Sequence, residues 1–231
     1  MTPTTAEPPF VESRKPLTLV GGGHVTDEDF VLSLGVAPEV VAADGGTRAC
    51  LVRGILPRAV IGDMDSILPE DRAALAPGTI HELAEQDTTD FDKVLRSVSA
   101  PLFIGVGFLG ARLDHELASL GVLLRHPDKK CILLGSHDVI FTCPARIDLQ
   151  LPIGNRFSLF PFGSVMGRSE GLRWPIDGLR FNPLGQLGTS NEVTGPVILE
   201  MDGPQMLVIL PRDALAEAVN ALKRAPAWPP A

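Results

Sequence analysis

Between residues 17 and 143 the chain repeats one motif: a short, β-branched apolar run, then a segment of helical period. The runs are LTLVG (17–21), EVVAAD (39–44), RAVIGD (58–63), PLFIGVG (101–107), KCILLG (130–135) and DVIFTC (138–143). Runs this apolar, four to seven residues long and separated by helices, are strands buried on both faces, the signature of a parallel sheet covered by helices. The segment DTTDFDKVLRSVS places Phe91, Val94, Leu95 and Val98 on one helical stripe, with Asp87 or Thr88 as the expected N-cap. RLDHELASLGVLLR places Leu113, Leu117, Leu120 and Leu124 on another. After about residue 145 the texture changes. RIDLQLPIG, RFSLFPFG, GLRWPIDGLRFNPLG, NEVTGPVILEMDG and QMLVILP are short alternating runs broken by Gly, Pro and Asn, expected to form antiparallel strands of a β-sandwich. DALAEAVNALKR (213–224) is expected to close the chain as a helix. The division expected is a flexible tail over 1–16, an α/β domain over 17–144 and an all-β domain over 145–231.

Charge narrows the function. The 231 residues carry a formal net charge of −8, the wrong sign for a nucleic-acid binder. From Asp44 to Asp90 nine carboxylates face four arginines, so that segment alone holds −5 of the total. A divalent cation relieves such a cluster. Cys50, Cys131 and Cys143 have no metal spacing and an odd count, which fits a reducing cytoplasm better than a disulfide framework. The polar start and the lack of an apolar run of about 18 residues give no expectation of a membrane partner.

Within the acidic segment, VIGDMDS puts Asp63 and Asp65 one residue apart directly after a strand. Asp44 ends the strand before, and Asp87 and Asp90 open the helix that follows. In a parallel sheet the carboxyl ends of strands share one edge, where open α/β sheets bind ligands. Singly, Asp87 reads as a helix cap and Asp63 as a turn residue. Together they describe carboxylates converging on a hard cation and a polyphosphate. Gly45 and Gly46 serve either a tight turn or a backbone approach to phosphate. LVGGGH (19–24) lacks the ending of a P-loop, and His24, His81, His126 and His137 fall in no metal spacing.

The ordered set ADGGTR (43–48), VIGDMDSI (60–67), EQDTTDFDKVL (85–95), GFLGARLDHELASL (107–120) and GTSNE (188–192) resembles the thiamine pyrophosphokinase family over residues 17–211. The resemblance implies a Rossmann-like α/β catalytic domain, a C-terminal β-sandwich that binds thiamine, and a homodimer with active sites between subunits. It implies transfer of a pyrophosphoryl group from MgATP to the thiamine hydroxyl, giving thiamine diphosphate and AMP. It makes Asp44, Asp63, Asp65 and Asp90 the catalytic acids, the last three holding Mg2+. It places Gly45, Gly46, Asp87, Lys93, Arg112, Asp114 and His115 about ATP, and Gln86, Ser190 and Asn191 about thiamine. One departure is Gly110-Ala111-Arg112, where the family often has Gly-Gly-Arg. A haloacid-dehalogenase-like phosphatase also carries Asp-x-Asp after a strand, but the later TDFDK and the all-β half do not suit it. A ligand sensor without turnover would be expected to have lost these carboxylates.

Overall fold

The computed structural model describes residues 8–110, 112–188 and 190–230. Its first part runs β1 (Val11–Glu12), β2 (Leu17–Val20), α1 (Asp27–Val36), β3 (Glu39–Ala43), α2 (Thr47–Leu51), β4 (Ala59–Gly62), α3 (Pro69–Ala74) and β5 (Ile80–Glu82). It continues with α4 (Asp90–Ser97), β6 (Val98–Ser99), β7 (Phe103–Val106), α5 (Leu113–Arg125), β8 (Cys131–Leu134) and β9 (Asp138–Thr142). Then come β10 (Arg146–Leu149), β11 (Arg156–Pro161), β12 (Val165–Leu172), β13 (Arg180–Phe181), β14 (Asn191–Met201), β15 (Met206–Pro211) and α6 (Leu215–Arg224).

Six strands pair in parallel in the order β8-β7-β2-β3-β4-β5, as the buried apolar runs require. The sheet does not stop there. β9 adds antiparallel to β8, β15 to β9, β11 to β15 and β14 to β11, and β10 and β12 both flank β14. The result is a mixed α/β fold around one mixed sheet of thirteen strands.

The period of two along each strand sends neighbours to opposite faces. Leu19, Val41 and Ile61 enter one apolar cluster and Val20, Ala42 and Val60 the other. The second cluster runs on through Phe141, Phe157 and Val197 to Ala225, so the two halves of the chain share a core.

Several expectations change. Of the tail expected over 1–16, residues 1–7 lie outside the described residues. Val11 is buried and Val11–Glu12 pair with β6, so this part is tied down. The α4 stripe is buried as expected, but its N-cap is Thr89, whose hydroxyl accepts from the Asp92 N–H at 3.3 Å. Thr88 instead donates to Glu85. In α5 the leucine stripe is rotated from the true inner face: Ser119, Val122 and Leu123 are buried, while Leu113 and Leu117 are 71% and 53% exposed. Leucines lie on more than one side of this helix, so periodicity alone did not select the face. β12 begins at Val165, well before the expected GLRW run, because Gly167, Arg168 and Ser169 give its first half no apolar alternation. Among the described residues no helix is long and apolar enough to cross a membrane. All three cysteines are free and buried, and burial raises the Cys50 and Cys143 thiols to about 12, so they are inert as nucleophiles.

Candidate functional site

The loops after β2, β3, β4 and β7 leave the same edge of the parallel sheet and pack against one another through glycine. A Cβ on Gly46 would stand 2.0 Å from the Val20 carbonyl oxygen, and one on Gly62 would stand 2.6 Å from the Asp44 Cβ. Of the two readings open for Gly46, packing of the turn against β2 accounts for its glycine.

This close packing brings the acids together. Asp44 begins a 3-10 turn at the end of β3 and is 1% exposed. One carboxylate oxygen from each of Asp44, Asp63 and Asp65 lies within 4.8 Å of the others. Met64, between the two later acids, has φ of 65°, a left-handed conformation that a side chain tolerates poorly. Such strain persists only where the surroundings fix it, and here it curls the chain between the two carboxylates. Met64→Gly is therefore expected to be more stable than Met64→Ala by about 1 kcal/mol, the reverse of the usual order. Both variants lose every side-chain contact beyond Cβ, so denaturant titration compares mainly the backbone term; Ala equal to or above Gly would show that Met64 carries no strain.

Lys93 supplies the positive charge at this edge. Its Nζ, almost fully buried, donates to Asp63 Oδ2 at 3.1 Å and to Asp90 Oδ1 at 3.3 Å. The hydrogen bond from Lys93 holds Asp63 below the usual carboxylate range, with Gln86 Nε2 adding a bond at 3.1 Å. Burial acts to discharge Lys93, but Asp63 and Asp90 outweigh it and its ammonium is strengthened. Asp44 is pushed the other way. Burial raises it first, the Ser66 N–H at 3.0 Å opposes, and the charges of Asp90, Asp63 and Asp65 raise it further. Its Oδ1 is buried with no hydrogen-bond partner among the described residues. A buried carboxylate oxygen without a partner, amid three other carboxylates, is the environment that a hard, oxygen-seeking cation satisfies.

The converging set differs by one from the metal ligands implied by resemblance. Asp44, Asp63 and Asp65 form it, and Asp90, raised by burial against the pull of Lys93, bonds to the same lysine that holds Asp63. Gly45 lies beside Gly22, and Asp87 is exposed in the loop before α4. Arg112, Asp114 and His115 sit exposed at the start of α5, with Arg112 donating to both carboxylate oxygens of Asp114 at 2.6 and 3.1 Å. Ala111 lies outside the described residues. Ser190 and Asn191 are in the other half of the chain, and Thr189 beside them is outside the described residues. Sequence reasoning missed the Lys93–Asp63 pair, for which the only signal was Lys93 at i+3 from Asp90 on a helix whose N-terminus faces the strand edge.

Fold and site define an acid-lined α/β protein able to hold a hard cation at the carboxyl edge of its sheet. Residues 33–134 match the family model described as "Thiamin pyrophosphokinase, catalytic domain". The chain is 33% identical over 156 residues to Thiamine pyrophosphokinase 1 of Oryza sativa subsp. japonica, covering 59% of each protein. It is 28% identical over 171 residues to Thiamine pyrophosphokinase of Bacillus subtilis (strain 168), covering 66% of this chain and 77% of that one. The match thus spans about three fifths of the length of the plant relatives. A solved thiamin pyrophosphokinase from Candida albicans shares the fold, with a TM-score of 0.71 at 16% identity, covering 89% of this chain and 95% of that one. These comparisons identify the resemblance read from the motifs as that to thiamine pyrophosphokinases.

Proposed function

We propose that this protein is a thiamine pyrophosphokinase, moving the pyrophosphoryl group of ATP to the hydroxyl of thiamine. The observation that carries the reading is the convergence of Asp44, Asp63 and Asp65 beside the buried Lys93, inside the segment that matches the catalytic-domain model. Asp44, Asp63 and Asp65 would hold Mg2+. Bound there, Mg2+ supplies charge neutralisation to a polyphosphate. Lys93 keeps Asp63 ionised and through that bond ties α4 to the end of β4, while Asp90 on the same helix holds the lysine. Gly45, Gly46, Asp87, Arg112, Asp114 and His115 are read as the surroundings of ATP, and Gln86, Ser190 and Asn191 as neighbours of thiamine. Incubation with thiamine, ATP and Mg2+ tests the reading: thiamine diphosphate and AMP are expected in equal amounts. Release of phosphate or ADP without AMP would sink it.

The finer architecture read here is a Rossmann-like catalytic part, 17–144, and a β-sandwich thiamine-binding part, 145–231, acting as a homodimer. What supports a shared site is the strand order. β14, which starts at Asn191, is eight neighbours from β4 along the sheet, a path of roughly 40 Å at about 4.8 Å per strand. A second subunit brings the 190 region of one chain to the acids of the other. Mixing Asp65→Asn chains with Asn191→Ala chains is then expected to restore a sizeable fraction of wild-type activity, because heterodimers contain one intact site. No recovery despite proven subunit exchange would place each site within a single chain.

A further inference from the structure

Among the described residues, two buried side-chain polar atoms have no hydrogen-bond partner, Asp44 Oδ1 and Thr47 Oγ1, and they belong to one turn. A core satisfies nearly all such atoms, so two exceptions three residues apart ask for a common cause. Asp44–Gly46 forms a 3-10 turn, and Thr47 continues it with φ of −55° and ψ of −48°. Side chains three apart on such a turn eclipse, so the carboxylate and the hydroxyl stand one above the other.

Thr47 is 1% exposed. Its main-chain N–H donates to the Asp44 carbonyl, while its hydroxyl bonds to none of the described residues. Elsewhere the chain meets this need. Thr18, fully buried, gives its hydroxyl to the Ala37 carbonyl at 2.6 Å, and Thr142 gives its own to the Leu123 carbonyl at 3.0 Å. A threonine entering a helix can likewise turn its hydroxyl to the carbonyl three or four residues back, and Thr47 does not. Valine fills the same space with no hydroxyl to bury, so packing gives no account of threonine here. The turn is also fixed from two sides, Gly46 lying against the Val20 carbonyl and Gly62 against the Asp44 Cβ.

We propose that Thr47 belongs to the cation site: its hydroxyl supplies an uncharged oxygen to the shell of the ion that Asp44 Oδ1 binds, directly or through one water of that shell. Magnesium takes oxygen ligands and keeps several waters, so a hydroxyl beside the buried carboxylate has a place around it. One bound ion then removes both exceptions. The inference rests on the cation site that underlies the function proposed above, and not on the identity of the substrate.

Thr47→Val, the same shape without the hydroxyl, is the test, read with Mg2+ alone as the probe. Calorimetric titration of the metal-free protein is expected to give a Mg2+ Kd raised about tenfold or more over wild type, the scale on which metal sites respond to losing a supporting group. Thr47→Ser keeps the hydroxyl and is expected to bind Mg2+ nearly as wild type does. Thermal unfolding in EDTA gives a reading independent of the ion. There Thr47→Val is expected to melt at or above wild type, because an unbonded buried hydroxyl has been removed. An unchanged Mg2+ Kd in Thr47→Val overturns the proposal. So does a lower melting temperature in EDTA, which would mean that the hydroxyl is already satisfied within the apoprotein. Thr47→Ser as weak as Thr47→Val overturns it too, since the hydroxyl is then not what the ion needs. A wild type that takes up no Mg2+ removes the metal site and this proposal together. A wild type that binds Mg2+ but forms no thiamine diphosphate defeats the proposed function alone, and a raised Mg2+ Kd in Thr47→Val still upholds the role of Thr47.

Discussion

On the function proposed, Asp63→Asn and Asp65→Asn are each expected to lower the rate of thiamine diphosphate formation by about a hundredfold or more, the scale of losing one preorganised charge-stabilising group. Asp44→Asn is expected to do the same and also to make the metal-free protein more stable. Burial and the three neighbouring acids raise the Asp44 carboxyl above its ordinary value. A carboxyl raised on folding binds its proton more tightly in the folded state. Its penalty is therefore absent below the unfolded pKa, grows as pH rises through the folded pKa, and is present in full at neutral pH. Asparagine removes that charge, and its carbonyl can still accept the Ser66 N–H. The measurement is thermal unfolding in EDTA near pH 7.5 beside the rate at saturating Mg2+. Near-normal rates in all three variants would remove the metal site, and a lower melting temperature for Asp44→Asn would show that its charge is compensated within the apoprotein.

Gly46→Ala is expected to lose about 3 kcal/mol or more of stability, at or beyond the upper end of ordinary overpacking. The new methyl would stand 2.0 Å from the Val20 carbonyl oxygen, 2.6 Å from its carbon and 3.0 Å from the Gly21 carbonyl oxygen. All three are backbone atoms next to a strand in the middle of the sheet, so no side chain can swing away. Relief requires the 44–46 turn to lift off β2, which carries Asp44 away from Asp63 and Asp65 and removes activity in the fraction that still folds. Gly35→Ala, in α1 with nothing within 4 Å of the new methyl, is the contrasting control and is expected to gain roughly 0.5 to 1 kcal/mol. Equal stability of the two variants by denaturant titration would refute the account of the turn.

The strands of the parallel half were legible because both of their faces are buried. A run such as LTLV or AVIG can be little else when Gly and Asp bound it and helices flank it. The short strands β1, β5 and β6 were not, since two or three residues give no period to read: β5 adds to the free edge of β4, and β1 and β6 are strands only as each other's partner. The convergence of Asp44, Asp63 and Asp65 could be anticipated from strand ends sharing an edge. Two features of the site could not. The left-handed Met64 is imposed by packing around it, against any preference of methionine. Likewise the Asn191 amide is claimed by a main chain 17 residues earlier, a pairing that exists only once β12 and β14 lie side by side. Local pattern carried the scaffold, and contacts across the sheet decided which side chains are free to meet a ligand.

The antiparallel pairing of β9 with β15 has a consequence for how the chain comes off the ribosome. Residues 138–142 form their outer ladder with residues 207–211, in the register Thr142 to Leu207 through Asp138 to Pro211. A nascent chain that has finished the helical half therefore presents β9 as an open edge of buried-type residues, Val139, Ile140 and Phe141, with its partner strand not yet made. Open apolar edges recruit whatever strand is nearest, including that of another nascent chain. Cutting the gene near codon 144 would make that interval permanent. The half up to residue 144 should thus resist being expressed alone or grafted as a module, and its solubility should depend on a strand encoded more than sixty residues downstream.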